Sequence, residues 1–108
     1  MGKAQREKGK RGERMLAKEL RELTGKEDIK RGVQYHGGPD SPDVMGLDGI
    51  HIECKFVEKL NVREALKQSE DDAGEGEVPV VIHKTSRQPW IVTMNLADFV
   101  DMYMKSNR

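Results

Sequence analysis

Asp43, Glu53 and Lys55 lie in the stretch SPDVMGLDGIHIECK, an acid followed ten residues on by a second acid and, two further, by a lysine. Two carboxylates brought face to face repel unless a cation sits between them. Oxygen donors of this kind suit a hard divalent ion, and Mg²⁺ takes one or two carboxylates while keeping water or phosphate oxygens for its other positions. Such an ion polarises a phosphoryl oxygen and lowers the pKa of a coordinated water. Lys55 is spaced to hold that water or to offset charge developing on a phosphate. The residues point to phosphodiester chemistry, provided the chain brings the acids to one face.

Whether it does depends on a turn. In Ile50 to Phe56, residues Ile50, Ile52, Cys54 and Phe56 alternate with His51, Glu53 and Lys55, so the latter three share one face of a strand. Asp43 to Leu47 reads as its hairpin partner around Asp48-Gly49. A two-residue Asp48-Gly49 loop would set Asp43 against Cys54. A three-residue Leu47-Asp48-Gly49 loop, closed by Gly49 in the left-handed conformation, sets Asp43 against Glu53 and Val44 against Ile52. The second register is preferred because it keeps the apolar face intact. Glu13 is a further candidate. Leu16, Leu20 and Leu23 form one stripe of a helix running from Gly12 to Thr24-Gly25, and Glu13 projects from the same side, able to reach the same ion directly or through water.

The other elements follow from periodicity and punctuation. Met1 to Lys10 is basic without apolar anchors, so it is a frayed helix start or a mobile arm. Ile29 to Tyr35 reads as a short strand before the turn-rich His36 to Pro42. Asn61 and Glu64 form a capping box for a helix to about Asp72, and Val78 to His83 reads as a strand covered on both faces. Trp90 to Met94 pairs with it, and Asn95 caps a last helix with Leu96, Phe99, Val100 and Tyr103 inward. The order is helix, three strands, helix, two strands, helix in a single α/β domain of 108 residues.

Composition narrows the function classes. The chain is 35% hydrophobic and 35% charged with zero formal net charge, but bases outnumber acids from Met1 to Gly32, whereas Ser69 to Glu77 holds acids and no base. That asymmetry permits a phosphate-binding face, for which Lys10, Arg11 and Arg14 are placed, and the acidic stretch should face away from DNA. The single cysteine excludes an internal disulfide and fits a reducing compartment, and no apolar run is long enough to span a membrane, so a cytoplasmic protein is expected. No zinc-ligand spacing, nucleophilic triad or phosphate loop occurs, and no organic cofactor is indicated.

Pro42-Asp43 followed by Glu53-Cys54-Lys55 resembles the signature of the PD-(D/E)xK nuclease superfamily, and the order of elements is similar to that family's restriction-endonuclease-like core, a central mixed sheet flanked by helices. The small size, Lys10-Arg11-Gly12-Glu13, Arg31-Gly32-Val33-Gln34-Tyr35 and Gln68 look like phage and archaeal-type Holliday-junction resolvases. The resemblance implies that Asp43 and Glu53 are metal ligands, with the Cys54 carbonyl a further one. Lys55 would be the catalytic lysine and Glu13 the acid that completes the site. Arg31 and Gln68 would join the DNA contacts. It implies Mg²⁺, with Mn²⁺ able to substitute, and a homodimer acting on branched DNA, in the host cytoplasm if phage-encoded. The rivals are a related nuclease acting on flapped, nicked or duplex DNA and a non-catalytic DNA-binding module of the same fold. Zero net charge departs from the basic balance expected of a junction binder.

Asp40, in a second Pro-Asp pair, reads as turn chemistry. His51 reads as an edge-exposed histidine, His83 as structural, and Cys54 as a buried thiol. Lys84 and Arg87 are as consistent with a solvated loop as with a DNA contact.

Overall fold

A computed structural model describes residues 3–32 and 41–107. Helix α1 (Lys3–Thr24) precedes strands β1 (Lys30–Arg31), β2 (Val44–Met45) and β3 (Ile50–Phe56). Helix α2 (Val62–Asp72), strands β4 (Val78–Lys84) and β5 (Ile91–Thr93) and helix α3 (Leu96–Ser106) follow. The strands form one mixed sheet in the order β1-β2-β3-β4-β5, parallel between β3 and β4 and antiparallel elsewhere. This α/β arrangement is consistent with a restriction-endonuclease-like core, and the order of elements is the one expected from periodicity.

The central pair β3–β4 is covered on both faces, which is why Val80, Val81 and Ile82 form an unbroken apolar run. On one face Leu16 and Ala17 of α1 pack with Ile29, Val44, Ile52, Cys54, Val80 and Ile82. On the other, Ala65 and Leu66 of α2 pack on Val81. Gly12 lets α1 lie close to β3, since a Cβ there would stand 2.7 Å from the Cβ of Phe56. Asn61 caps α2 as expected, its Oδ1 accepting from the Glu64 N–H at 3.1 Å. The buried Ser69 hydroxyl donates to the carbonyls of His51 (3.3 Å) and Val80 (3.0 Å), tying α2 to both central strands.

Several expectations need correction. Of the two alternatives for the basic N-terminal residues, the helix start is the one seen: from Lys3 onward they are the first turns of α1. The stripe of α1 ends at Leu20, for Leu23 is 75% exposed where the chain leaves the sheet at Gly25. Strand β2 is two residues rather than Asp43 to Leu47. Of the expected strand Ile29 to Tyr35, Lys30–Arg31 is a strand; Val33 to Asp40, with His36 and Asp40, lies outside the described residues. Helix α3 buries none of its residues, so Leu96, Phe99, Val100 and Tyr103 are exposed instead of inward. Asn95 makes no side-chain cap; its amide donates to Glu70 Oε2 at 2.7 Å.

The hairpin has the preferred register but reaches it differently. Val44 pairs with Ile52, while the turn closes through the Ile50 N–H donating to the Leu47 carbonyl at 3.1 Å, with Gly49 at φ +82°. Between those contacts Met45 and Gly46 stand against His51 alone, so the extra residue is a bulge at Gly46. Gly46 has φ +122°, and a Cβ there would stand 2.7 Å from the Cα of Ile29. Gly46→Ala therefore meets both a left-handed backbone and a backbone clash, and should cost about 3 kcal/mol. Urea unfolding measures this; a loss below about 0.5 kcal/mol would show that the bulge is not under constraint.

Candidate active site

Asp43 immediately precedes β2, and three hydrogen bonds fix it. Its N–H donates to the Ile52 carbonyl at 2.9 Å, its carbonyl accepts from the Gly32 N–H at 2.8 Å, and its Oδ2 accepts from the Cys54 N–H at 2.8 Å. Gly32 is required here, because any Cβ would overlap the Pro42 carbonyl oxygen. With Asp43 and Val44 both directed at Ile52, the ladder slips again, and the Asp43 carboxylate takes the Cys54 N–H in place of a backbone carbonyl. This turns the carboxylate toward the strand edge, where Glu53 on one face of the sheet and Glu13 on the other both act on it.

The electrostatics follow from that position. Burial first, then the Glu53 charge and more weakly Glu13, push Asp43 up to about 7, against the opposing Cys54 N–H and Lys55. Glu53, its side chain 6% exposed beneath α2, is also raised by burial, with Lys55 opposing at 3.5 Å from Nζ to Oε2. The Cys54 thiol is buried and pushed well up, chiefly by burial, so it is neither nucleophile nor metal ligand under ordinary conditions. Half-buried Asp43 and buried Glu53 stand with one lysine beside them, and oxygen donors so placed suit a divalent cation. A cleft of about 430 Å³ between α2 and the start of α3 has none of these acids in its walls.

Of the other residues singled out by sequence, Glu13 Oε1 accepts from Arg31 Nε at 2.9 Å, so Arg31 is engaged with the helix acid. Lys10, Arg11 and Arg14 are exposed along α1, and Gln68 is exposed on α2. His51 is not edge-exposed. It is fully buried, neither ring nitrogen has a hydrogen-bond partner, and Nδ1 lies 3.6 Å from Glu77 Oε1. His83 is structural in its contacts, its Nε2 standing 2.9 Å from the Thr93 hydroxyl. One residue of the acidic stretch, Asp72 at the end of α2, lies in one group with His51 and Glu53, with donor atoms all within 4.8 Å of one another. Sequence reasoning missed Asp72, although it lies three residues beyond buried Ser69 on the inward side of α2. It also missed a cluster of cations around one ring. Lys8 Nζ, the Arg11 guanidinium and Lys84 Nζ lie 4.9, 5.5 and 5.2 Å from the centroid of Phe56, at the end of the strand that carries Glu53 and Lys55.

A mixed sheet with helices on both faces, carrying Asp43, Glu53 and Lys55 at the bulged junction of β2 and β3, is the architecture of a PD-(D/E)xK nuclease. The chain belongs to the family described as "Phage putative PDDEXK endonuclease", whose model matches residues 4–108. Among curated proteins and among solved structures there is no match. The family implies a DNA substrate, and divalent metals are the usual cofactors of such nucleases.

Proposed function

We propose that the protein is a Mg²⁺-dependent endodeoxyribonuclease that resolves four-way DNA junctions by paired symmetric nicks, as a homodimer, in the host cytoplasm. The observation that carries the catalytic part is the Asp43 carboxylate, clamped on the Cys54 N–H and raised by its burial and by Glu53, with Lys55 beside Glu53. Asp43, Glu53 and the Cys54 carbonyl would hold the ion, with Glu13 reaching it through water and Mn²⁺ able to substitute. When bound, the ion supplies Lewis acidity toward a phosphoryl oxygen and lowers the pKa of a water.

The chain's own groups do the rest. Lys55 orients the attacking water and offsets charge on the phosphate. Arg31 fixes the rotamer of Glu13 through their ion pair. Arg11, with Lys8 and Lys84 around Phe56, grips a phosphate beside the scissile bond, while Lys10, Arg14 and Gln68 extend the contact along the backbone. A homodimer supplies the two cuts a symmetric junction needs. Helix α3 supports it, exposing Leu96, Phe99, Val100 and Tyr103, and β5 exposes Ile91 and Val92, apolar side chains that the described residues leave open. The zero net charge favours a second reading, a nuclease of the same class acting on nicked, flapped or duplex DNA.

Incubation with four-way, flapped, nicked and linear DNA in Mg²⁺ or Mn²⁺ separates these. Paired nicks confined to junctions are expected; cutting of linear duplex at equal rate would select the second reading, and no cutting of any substrate would remove the enzyme. Sedimentation should give a dimer that Phe99→Glu with Tyr103→Glu converts to monomer. A monomeric wild-type protein at tens of micromolar, a range at which an interface of ordinary affinity is occupied, would remove the dimer.

A further inference from the structure

We propose that His51, Glu53 and Asp72 form a second divalent-cation site on the α2 side of the sheet, sharing Glu53 with the Asp43 side but adding His51 and Asp72, and suited to an ion that accepts imidazole, such as Zn²⁺. Three observations converge on it. His51 is fully buried and both of its ring nitrogens lack hydrogen-bond partners, which is costly for an imidazole unless something unrepresented by the protein atoms satisfies it. A ring nitrogen and carboxylate oxygens of Glu53 and Asp72 all lie within 4.8 Å of one another. Finally, Asp72 closes a helix whose last turn holds no basic residue, so its carboxylate adds to the negative end of the α2 dipole beside buried Glu53. Burial, a helix C-terminus and two acids together call for positive charge.

Glu77 is the protein's own competitor for His51, but its Oε1 stands 3.6 Å from Nδ1 and already accepts the Gly74 N–H at 2.6 Å. Lys55 reaches Glu53 at 3.5 Å and serves the other side of that carboxylate. One nitrogen and two carboxylate donors make a mixed set that favours Zn²⁺ or Mn²⁺ over Mg²⁺, whose sites are all oxygen. Donors each roughly 2.1 Å from one tetrahedral ion stand about 3.4 Å apart, so the group, now within 4.8 Å, must contract by up to about 1.4 Å, a movement open to Asp72 at a helix end. Glu53 is a candidate ligand of both ions, so the two occupancies are linked.

The test follows imidazole ¹H–¹⁵N signals of the metal-free full chain during titration with ZnCl₂ and, separately, MgCl₂. Because His51→Gln would bury an amide at a fully buried position, the His51 ring is assigned by elimination with His36→Gln and His83→Gln. The expected result is a shift of the His51 signals complete near one equivalent of Zn²⁺, no shift with Mg²⁺, and at least tenfold weaker Zn²⁺ binding in Asp72→Asn. That variant changes one partly exposed carboxylate, and circular dichroism checks its fold. His51 signals unmoved by Zn²⁺, or equal affinity in Asp72→Asn, overturns the proposal. Mg²⁺-dependent cleavage, scored on the same preparation, tells that outcome apart from failure of the nuclease reading.

Discussion

Glu53→Gln and Lys55→Ala should each lower metal-dependent cleavage at least about a thousandfold while leaving junction binding within roughly threefold of wild type. Glutamine keeps the shape of Glu53 and one acceptor oxygen but removes the charge that holds a cation. It also removes the partner that Lys55 meets at 3.5 Å. Alanine at position 55 removes the cation while leaving the strand, because Lys55 is partly exposed and its backbone pairing with His83 does not need the side chain. Binding should survive since the phosphate contacts assigned above lie on α1, at the end of β4 and, for Gln68, on the exposed side of α2. Gel shifts in Ca²⁺ measure binding, and single-turnover cleavage in Mg²⁺ measures chemistry. Glu53→Gln cutting at more than a tenth of the wild-type rate would take Glu53 out of the metal site.

Asp43→Asn should separate activity from stability in opposite directions. Cleavage falls as severely as for Glu53→Gln, yet the metal-free variant is more stable than wild type. Asparagine can still accept the Cys54 N–H through Oδ1, so the clamp is kept while the buried charge is removed. In the folded protein Asp43 is raised from 3.8 to about 7, so the folded state holds this proton more tightly than the unfolded chain does. The penalty is therefore absent below about pH 4, grows as the pH rises through the interval to about 7, and is constant above it. At pH 8 the expected gain for the variant is roughly 2 kcal/mol, allowing for the cost of burying an amide. Urea titrations at pH 5 and pH 8 without metal should show the difference widening at the higher pH. Mg²⁺ should stabilise wild type at pH 8 and leave Asp43→Asn nearly unmoved. A variant less stable than wild type at pH 8 would mean that the acid pair is not under electrostatic stress.

Strand alternation was enough to put His51, Glu53 and Lys55 on one face, because the period of two is a property of the backbone. It was not enough to say that this face is buried. Glu53 and His51 are covered because α2 returns across β3 and β4, anchored by the Ser69 hydroxyl, and the return of a helix is not encoded in the strand beneath it. The acidic run after Ser69 shows the same limit. Composition alone suggests a solvated loop, whereas helical geometry brings Asp72 back to Glu53 and His51. Helix α3 errs in the other direction: its apolar spacing is sound, but none of its residues is buried among the described ones.

Local periodicity, with glycines placed where a turn needs them, was enough to set the order of elements and the register that pairs Val44 with Ile52. Only the tertiary structure decided where the Asp43 carboxylate points. A bulge at Gly46 and the slip at Asp43 turn it onto the Cys54 N–H, between Glu53 and Glu13, and a bulge reports the close approach of Ile29 and Gly32 from elsewhere in the chain. Side-chain direction at a strand edge is set by such long-range contacts, which local spacing does not contain.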